Sequence, residues 1–113
     1  MEDLIKRVRE FRQERDWGQY HSPKNLVIAL MVETAELAEH FQWLTEEQSC
    51  SLLPDKLAEV QEEIGDVLIY LANLCDRLGI DPMSAAYEKL EKNKRKYPAA
   101  KVHGKYLKYN QYK

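Results

Sequence analysis

Four acidic side chains carry the first chemical signal. Glu33 and Glu36 are three residues apart, and Glu63 and Asp66 repeat that spacing after a 26-residue interval. On a helix, positions i and i+3 share one face about a turn apart. Both pairs adjoin apolar sequence: Ala29-Leu30-Met31-Val32 precedes the first, and Val67-Leu68-Ile69-Tyr70-Leu71 follows the second. A single Glu-x-x-Glu is ordinarily a solvated helix face. Two such pairs on consecutive apolar helices, which must pack against something, point instead to a site in which the pairs face each other. Four carboxylates gathered at low dielectric repel one another and resist ionisation. A hard divalent cation relieves that repulsion, and Mg²⁺ takes oxygen ligands, keeps waters and shares phosphate oxygens. The expected chemistry is therefore metal-assisted hydrolysis of a phosphate ester or anhydride.

The neighbouring acids divide by position. Glu59 lies one turn before Glu63 and reads as a supporting group or an added ligand. Glu62 should point about 100° away from Glu63, towards solvent. Glu39, one turn past Glu36, stays open between the two readings. A carboxylate-bridged di-iron centre would need Glu-x-x-His on facing helices. Here Leu37 stands three residues before His40, and residues 54–78 contain no histidine, so that centre is excluded. His40 falls one turn after Glu36 and reads either as its contact or as an ordinary structural hydrogen-bonder.

Four helices are needed to position these groups. The stripe Leu4, Ile5, Val8 and Phe11 predicts a first helix over about residues 2–16, ending near Gly18. Ser22-Pro23 is an N-cap followed by proline at the first helical position, and a second helix should run from there to about Leu44. Residues 45–53 form a polar connection. Leu53-Pro54-Asp55 opens a third helix that extends to about Leu78, with Gly79 as its stop. Asp81-Pro82 repeats the cap-then-proline signal for a fourth helix ending near Tyr97, before Pro98. The remaining residues read as a loosely ordered tail. The fold expected is all-α: a four-helix, bundle-like subunit whose second and third helices bear the carboxylates, with residues 1–98 as one domain and 99–113 as a basic, Tyr-containing tail.

At 113 residues, 44% hydrophobic and 32% charged, the chain suits one compact domain. Collagen-like, disulfide-scaffold and low-complexity classes are excluded by composition. The formal charge of −2 conceals a split. Residues 1–88 hold 8 Lys/Arg against 18 Asp/Glu, whereas residues 89–113 hold 9 Lys/Arg against Glu91 alone. Cys50 and Cys75 form no CxxC and read as reduced thiols of a cytoplasmic protein. No apolar run is long enough for a membrane span, and the opening residues carry no export pattern. Ile28 and Ile69 lie opposite the core stripe, so the two central helices carry apolar surface on more faces than one bundle can hide. That pattern points to a further partner.

The acidic signature Glu33-x-x-Glu36 and Glu63-x-x-Asp66 resembles that of the MazG-like all-α nucleoside triphosphate pyrophosphohydrolases. The stretches Arg15-Asp16-Trp17-x-Gln19-Tyr20-His21-x-Pro23-x-Asn25-Leu26, Glu36-Leu37-Ala38-Glu39-x-Phe41-Gln42-Trp43, Glu62-Glu63-x-x-Asp66-Val67-Leu68-Ile69-Tyr70-Leu71 and Lys89-x-x-x-Asn93-x-Arg95-x-Tyr97-Pro98 are similar to the dCTP pyrophosphatase branch in particular. At Val8 the sequence departs from that branch, which carries a base-contacting histidine there. The resemblance implies Mg²⁺-dependent hydrolysis of a (deoxy)nucleoside triphosphate to the monophosphate and pyrophosphate, as nucleotide-pool housecleaning. It implies Glu33, Glu36, Glu63 and Asp66 as metal ligands and catalytic groups. Trp17, Trp43 and Tyr70 would form the base pocket, although aromatic residues at these spacings are more ordinarily core or interface. Lys89 and Asn93, one turn apart, would reach phosphate oxygens, the alternative being a basic helix end that complements the helix dipole. It further implies a homo-oligomer, a tetramer or dimer, with Trp17 or Trp43 serving a neighbouring subunit.

A second class of function is a non-catalytic helical interaction module whose Lys/Tyr tail binds nucleic acid. That reading leaves the paired carboxylates in apolar helices without a purpose, and ranks behind the enzyme.

Overall fold

The computed structural model describes residues 1–104; the rest of the basic end, including Lys105, Tyr106, Lys108, Tyr109 and Tyr112, lies outside the described residues. Six helices follow in order: α1 (Glu2–Glu14), α2 (Pro23–Glu39), α3 (Glu46–Ser49), α4 (Pro54–Leu78), α5 (Pro82–Lys96) and α6 (Ala99–Val102). The described residues contain no strand, and the fold is all-α. The chain divides into two compact units, one spanning Met1–Ile80 and the other beginning at Asp81.

In the first unit α1 and α2 both pack on α4. Each helix begins or ends where local chemistry dictates. The Ser22 hydroxyl accepts from the Asn25 N–H at 3.2 Å, which satisfies one orphan donor at the start of α2, and Pro23 follows at the first position. Pro54 opens α4 in the same way. Gly79 closes it with φ +68°, a left-handed conformation that glycine adopts without Cβ strain. The α2 helix is shorter than the apolar pattern suggested: after Glu39 the chain continues as hydrogen-bonded turns through Leu44. Thr45 and Gln48 then form a reciprocal capping box, so the polar connection holds the one-turn helix α3.

The core is small. Val8 of α1, Leu26 of α2, and Val60, Ala72 and Cys75 of α4 are its buried apolar members among the described residues. Burying Leu26 stabilises by roughly 2 kcal/mol. Polar groups supply the rest of the α1–α4 joint. Arg9 and Arg12 both donate to the Asp76 carboxylate, at 2.6 and 2.8 Å, and Arg12 also donates to the Asn73 side-chain carbonyl. Many large apolar residues stay exposed, including Ile28, Met31 and Val32 on α2 and Leu57, Ile64 and Leu68 on α4.

In the second unit the Asp81 carboxylate caps α5, accepting from the Met83 and Ser84 N–H groups at 3.0 and 3.3 Å. Lys94, Arg95 and Lys96 occupy its last turn, where they complement the helix dipole. Residues 99–102, expected to be part of a loosely ordered tail, form the one-turn helix α6.

Candidate metal centre and its surroundings

The packing of α2 on α4 determines what the acidic pairs can do. Glu33 and Glu36 project from one face of α2, and Glu63 from α4; one carboxylate oxygen of each lies within 4.8 Å of the others. All three side chains are half-buried. Oε2 of Glu33 and Oε2 of Glu63 are buried without a hydrogen-bond partner. A buried carboxylate oxygen with no donor is costly, and two in one cluster are costlier. Burial, first, and then a hydrogen bond with Glu36 and the charges of Glu36, Asp66 and Glu63 push Glu33 up from 4.5 to about 7. Glu63 is raised as well, again mainly by desolvation and then by Glu36, while His40 opposes the shift. Asp66 is exposed and stands outside the three-residue group, yet its charge acts on both Glu33 and Glu63. A divalent cation fits this arrangement, because it would satisfy the orphaned oxygens and cancel the mutual repulsion.

His40, the residue that ends α2, leans towards α4 rather than along its own helix. Its Nε2 is 3.9 Å from Oε1 of Glu63 and its Nδ1 is 3.6 Å from Oε2 of Glu59. The Lys56 ammonium lies 3.2 Å from Nδ1 and 3.4 Å from Glu59. Nδ1 of His40 meets Lys56 and Glu59, while Nε2 faces Glu63. Glu59 is thus a partner of His40 and Lys56, and Glu39 and Glu62 are exposed. Lys56 was not singled out by the sequence reading. It also lines an open cavity of about 480 Å³ at the start of α4, with Leu53, Pro54, Asp55 and Glu59.

The aromatic candidates are placed separately. Trp17 sits in the turn after α1, its ring edge-on to Phe11 at 5.6 Å and to His21 at 5.9 Å, and it is 41% exposed. Trp43 is 86% exposed in the turns after α2, and Tyr70 is half-buried on α4, one turn past Asp66. Among the described residues no ring contact joins these three. Lys89 and Asn93 lie one turn apart on α5 in the second unit, Lys89 exposed and Asn93 half-buried.

A second polar cluster lies outside the acidic centre. Arg12 and Asn73 are 6% and 3% exposed, and Asn73 reaches across to His21. The sequence held a faint signal for it: Asn73 interrupts the run Leu71-Ala72-Asn73-Leu74-Cys75, and Arg9 and Arg12 share one face of α1.

An all-α unit with carboxylates converging from two packed helices is the architecture of a known class. The MazG-like family matches residues 28–111, and the chain belongs to that family. Its relatives include dCTP pyrophosphatase 1 of Bos taurus, 41% identical over 96% of this chain, and dCTP pyrophosphatase 1 of Homo sapiens, 45% identical over 88% of it. The chain covers 66% and 59% of those two proteins, less than two thirds of either. It is also similar to a pyrophosphatase from Archaeoglobus fulgidus seen in a crystal structure, at 49% identity and a TM-score of 0.82 over 87% of this chain and 92% of that one.

Proposed function

We propose that this chain hydrolyses (deoxy)nucleoside triphosphates to the monophosphate and pyrophosphate in the presence of Mg²⁺, with deoxynucleotides such as dCTP preferred. One observation carries the reading: three carboxylates converge within 4.8 Å of one another, and two of their buried oxygens lack partners. The names of the dCTP pyrophosphatase relatives and of the archaeal pyrophosphatase support the substrate class.

Glu33, Glu36, Glu63 and Asp66 would hold the cation. When bound, Mg²⁺ supplies positive charge that offsets the negative oxygens of a triphosphate. One glutamate of the cluster accepts the proton of the attacking water. Cleavage falls between the α and β phosphates, and the leaving group is pyrophosphate. In this reading Trp17, Trp43 and Tyr70 form the base pocket, and Lys89 and Asn93 donate to phosphate oxygens. The exposed apolar faces of α2 and α4 support assembly of the chain with copies of itself. Cys50 and Cys75 form no disulfide, which suits a reducing cytoplasm. Among the described residues no helix is long and apolar enough to cross a membrane.

The test is pyrophosphate release from the four dNTPs and their ribo forms with Mg²⁺, for wild type and Glu63→Gln. Deoxynucleotides should be turned over faster, and Glu63→Gln should lose on the order of 100-fold or more. An inactive wild type, or a fully active Glu63→Gln, overturns the reading. Light scattering should give a particle mass at least twice 13.3 kDa.

A further inference from the structure

The buried polar cluster between α1, α4 and the turn after α1 forms a directed chain of hydrogen bonds. Its direction follows from what each group can donate. Asp76 accepts from Arg9 and Arg12, and its carboxylate is held below the usual range first by the Arg9 hydrogen bond and then by Arg12. Arg12 has only donors, so the Asn73 atom facing its Nη1 must be the carbonyl oxygen. The Asn73 amide nitrogen then faces His21, at 3.0 Å from Nδ1. An amide NH₂ only donates, so Nδ1 of His21 accepts and the ring proton must reside on Nε2. Burial, followed by the charges of Arg12 and Arg77, lowers the pKa of His21 and favours the neutral ring. No group among the described residues pairs with Nε2.

The placement gives this proton a use. The His21 and Trp17 ring centroids lie 5.9 Å apart with the ring planes 62° from parallel, and Trp17 is 41% exposed. The Trp17 backbone N–H donates to the Arg12 backbone carbonyl at 3.0 Å, so Arg12 anchors both the turn and the hydrogen-bond chain. Asp16 holds φ +51° in the same turn, a left-handed conformation that aspartate tolerates better than most residues. A flat stacking surface with a fixed N–H beside it matches a nucleobase presenting an unprotonated ring nitrogen or a carbonyl oxygen. We propose that Asn73, held by Arg12 and Asp76, is a positioning residue that fixes His21 as an Nε2–H donor, and that this donor reads an acceptor on the edge of the base stacked at Trp17. The inference rests on the nucleotide reading above.

Asn73→Asp is the informative substitution, because the carboxylate keeps the size and the Arg12 contact but can only accept. In the neutral ring it should draw the His21 proton to Nδ1 and leave Nε2 as an acceptor, so the variant is compared with wild type at a pH where the spectra show both rings neutral. Two-bond ¹H–¹⁵N spectra of histidine-labelled full-length protein report the tautomer directly. Wild type should show His21 as Nε2–H, and a Nδ1–H or mixed ring overturns the proposal without any variant. Binding of dCTP with Mg²⁺, followed by tryptophan fluorescence, should weaken about 10-fold in Asn73→Asp, with KM raised to match and kcat within about twofold. A changed tautomer with unchanged affinity overturns the base-reading role. His21→Gln, whose amide can supply a donor near the Nε2 position, should bind within about threefold of wild type, and His21→Phe should not. A wild type that binds dCTP with this pattern but releases no pyrophosphate overturns the catalytic reading alone. One that binds no dCTP overturns both.

Discussion

Glu33→Gln in metal-free protein tests whether the acidic centre is held against its own repulsion. In the folded chain, burial and then the neighbouring carboxylates raise Glu33 from 4.5 to about 7. Between those values the folded protein keeps a proton that the unfolded chain has released. Stability therefore falls as pH rises through that window, and the whole penalty is present above the folded value. A rise of that size corresponds to about 3.4 kcal/mol if fully expressed. Glu33 is only half-buried, and solvent screens part of the repulsion, so about 1.5 kcal/mol is the expected cost. Urea unfolding in EDTA at about pH 8 should show Glu33→Gln more stable than wild type by that amount, with an unchanged denaturant slope. At about pH 5.5 the advantage should shrink by about 1 kcal/mol, because wild-type Glu33 is then largely protonated when folded. Adding millimolar Mg²⁺ at the higher pH should stabilise wild type and leave the variant nearly unchanged. A stability difference that does not move with pH would refute the claim that these carboxylates are mutually strained.

Two further outcomes follow from the other clusters. Asp76→Ala leaves the 6%-exposed Arg12 with an unpaired charge and should cost about 3 kcal/mol in denaturant unfolding, whereas Arg9→Ala, at the exposed end of the same pair, should cost under about 1 kcal/mol. Trp17→Ala should raise KM for dCTP about 10-fold or more with the fold intact by circular dichroism, since stacking on one base contributes roughly 1–3 kcal/mol.

The helix ends were legible because each depends on a few adjacent residues. Ser22-Pro23, Pro54, Gly79 and Asp81-Pro82 mark boundaries that the structure reproduces within a residue or so. The end of α2 was not legible in the same way. Leu37, Phe41 and Leu44 continue the apolar pattern past Glu39, and hydrogen-bonded turns keep them at comparable spacing without a continuous helix. Periodicity reports which side chains face inward, and turns can satisfy it as well as a helix does. The one-turn helix α3 was missed because four residues are too few to show a period, although Thr45-x-x-Gln48 is a capping pattern in the sequence.

The same distinction explains what was visible of the site. The convergence of Glu33, Glu36 and Glu63 could be reasoned from two local spacings plus one assumption, that consecutive apolar helices pack, and α2 does pack on α4. The links from His40 to Glu63 and Lys56 depend on how the chain turns at the end of α2, which no spacing specifies. The chain from Asp76 through Arg12 and Asn73 to His21 joins residues more than 50 positions apart. Each member alone is an unremarkable polar residue, and only the donor-or-acceptor character of its neighbours gives it a role. Arg12 can only donate, which fixes the orientation of Asn73; the orientation of Asn73 in turn fixes the proton on His21. A histidine in a sequence has two neutral tautomers, and nothing local selects between them. In this fold the selection is made by an arginine buried on a different helix, so exchanging Asn73 for an acid should change the chemistry presented beside Trp17 while the backbone stays where it is.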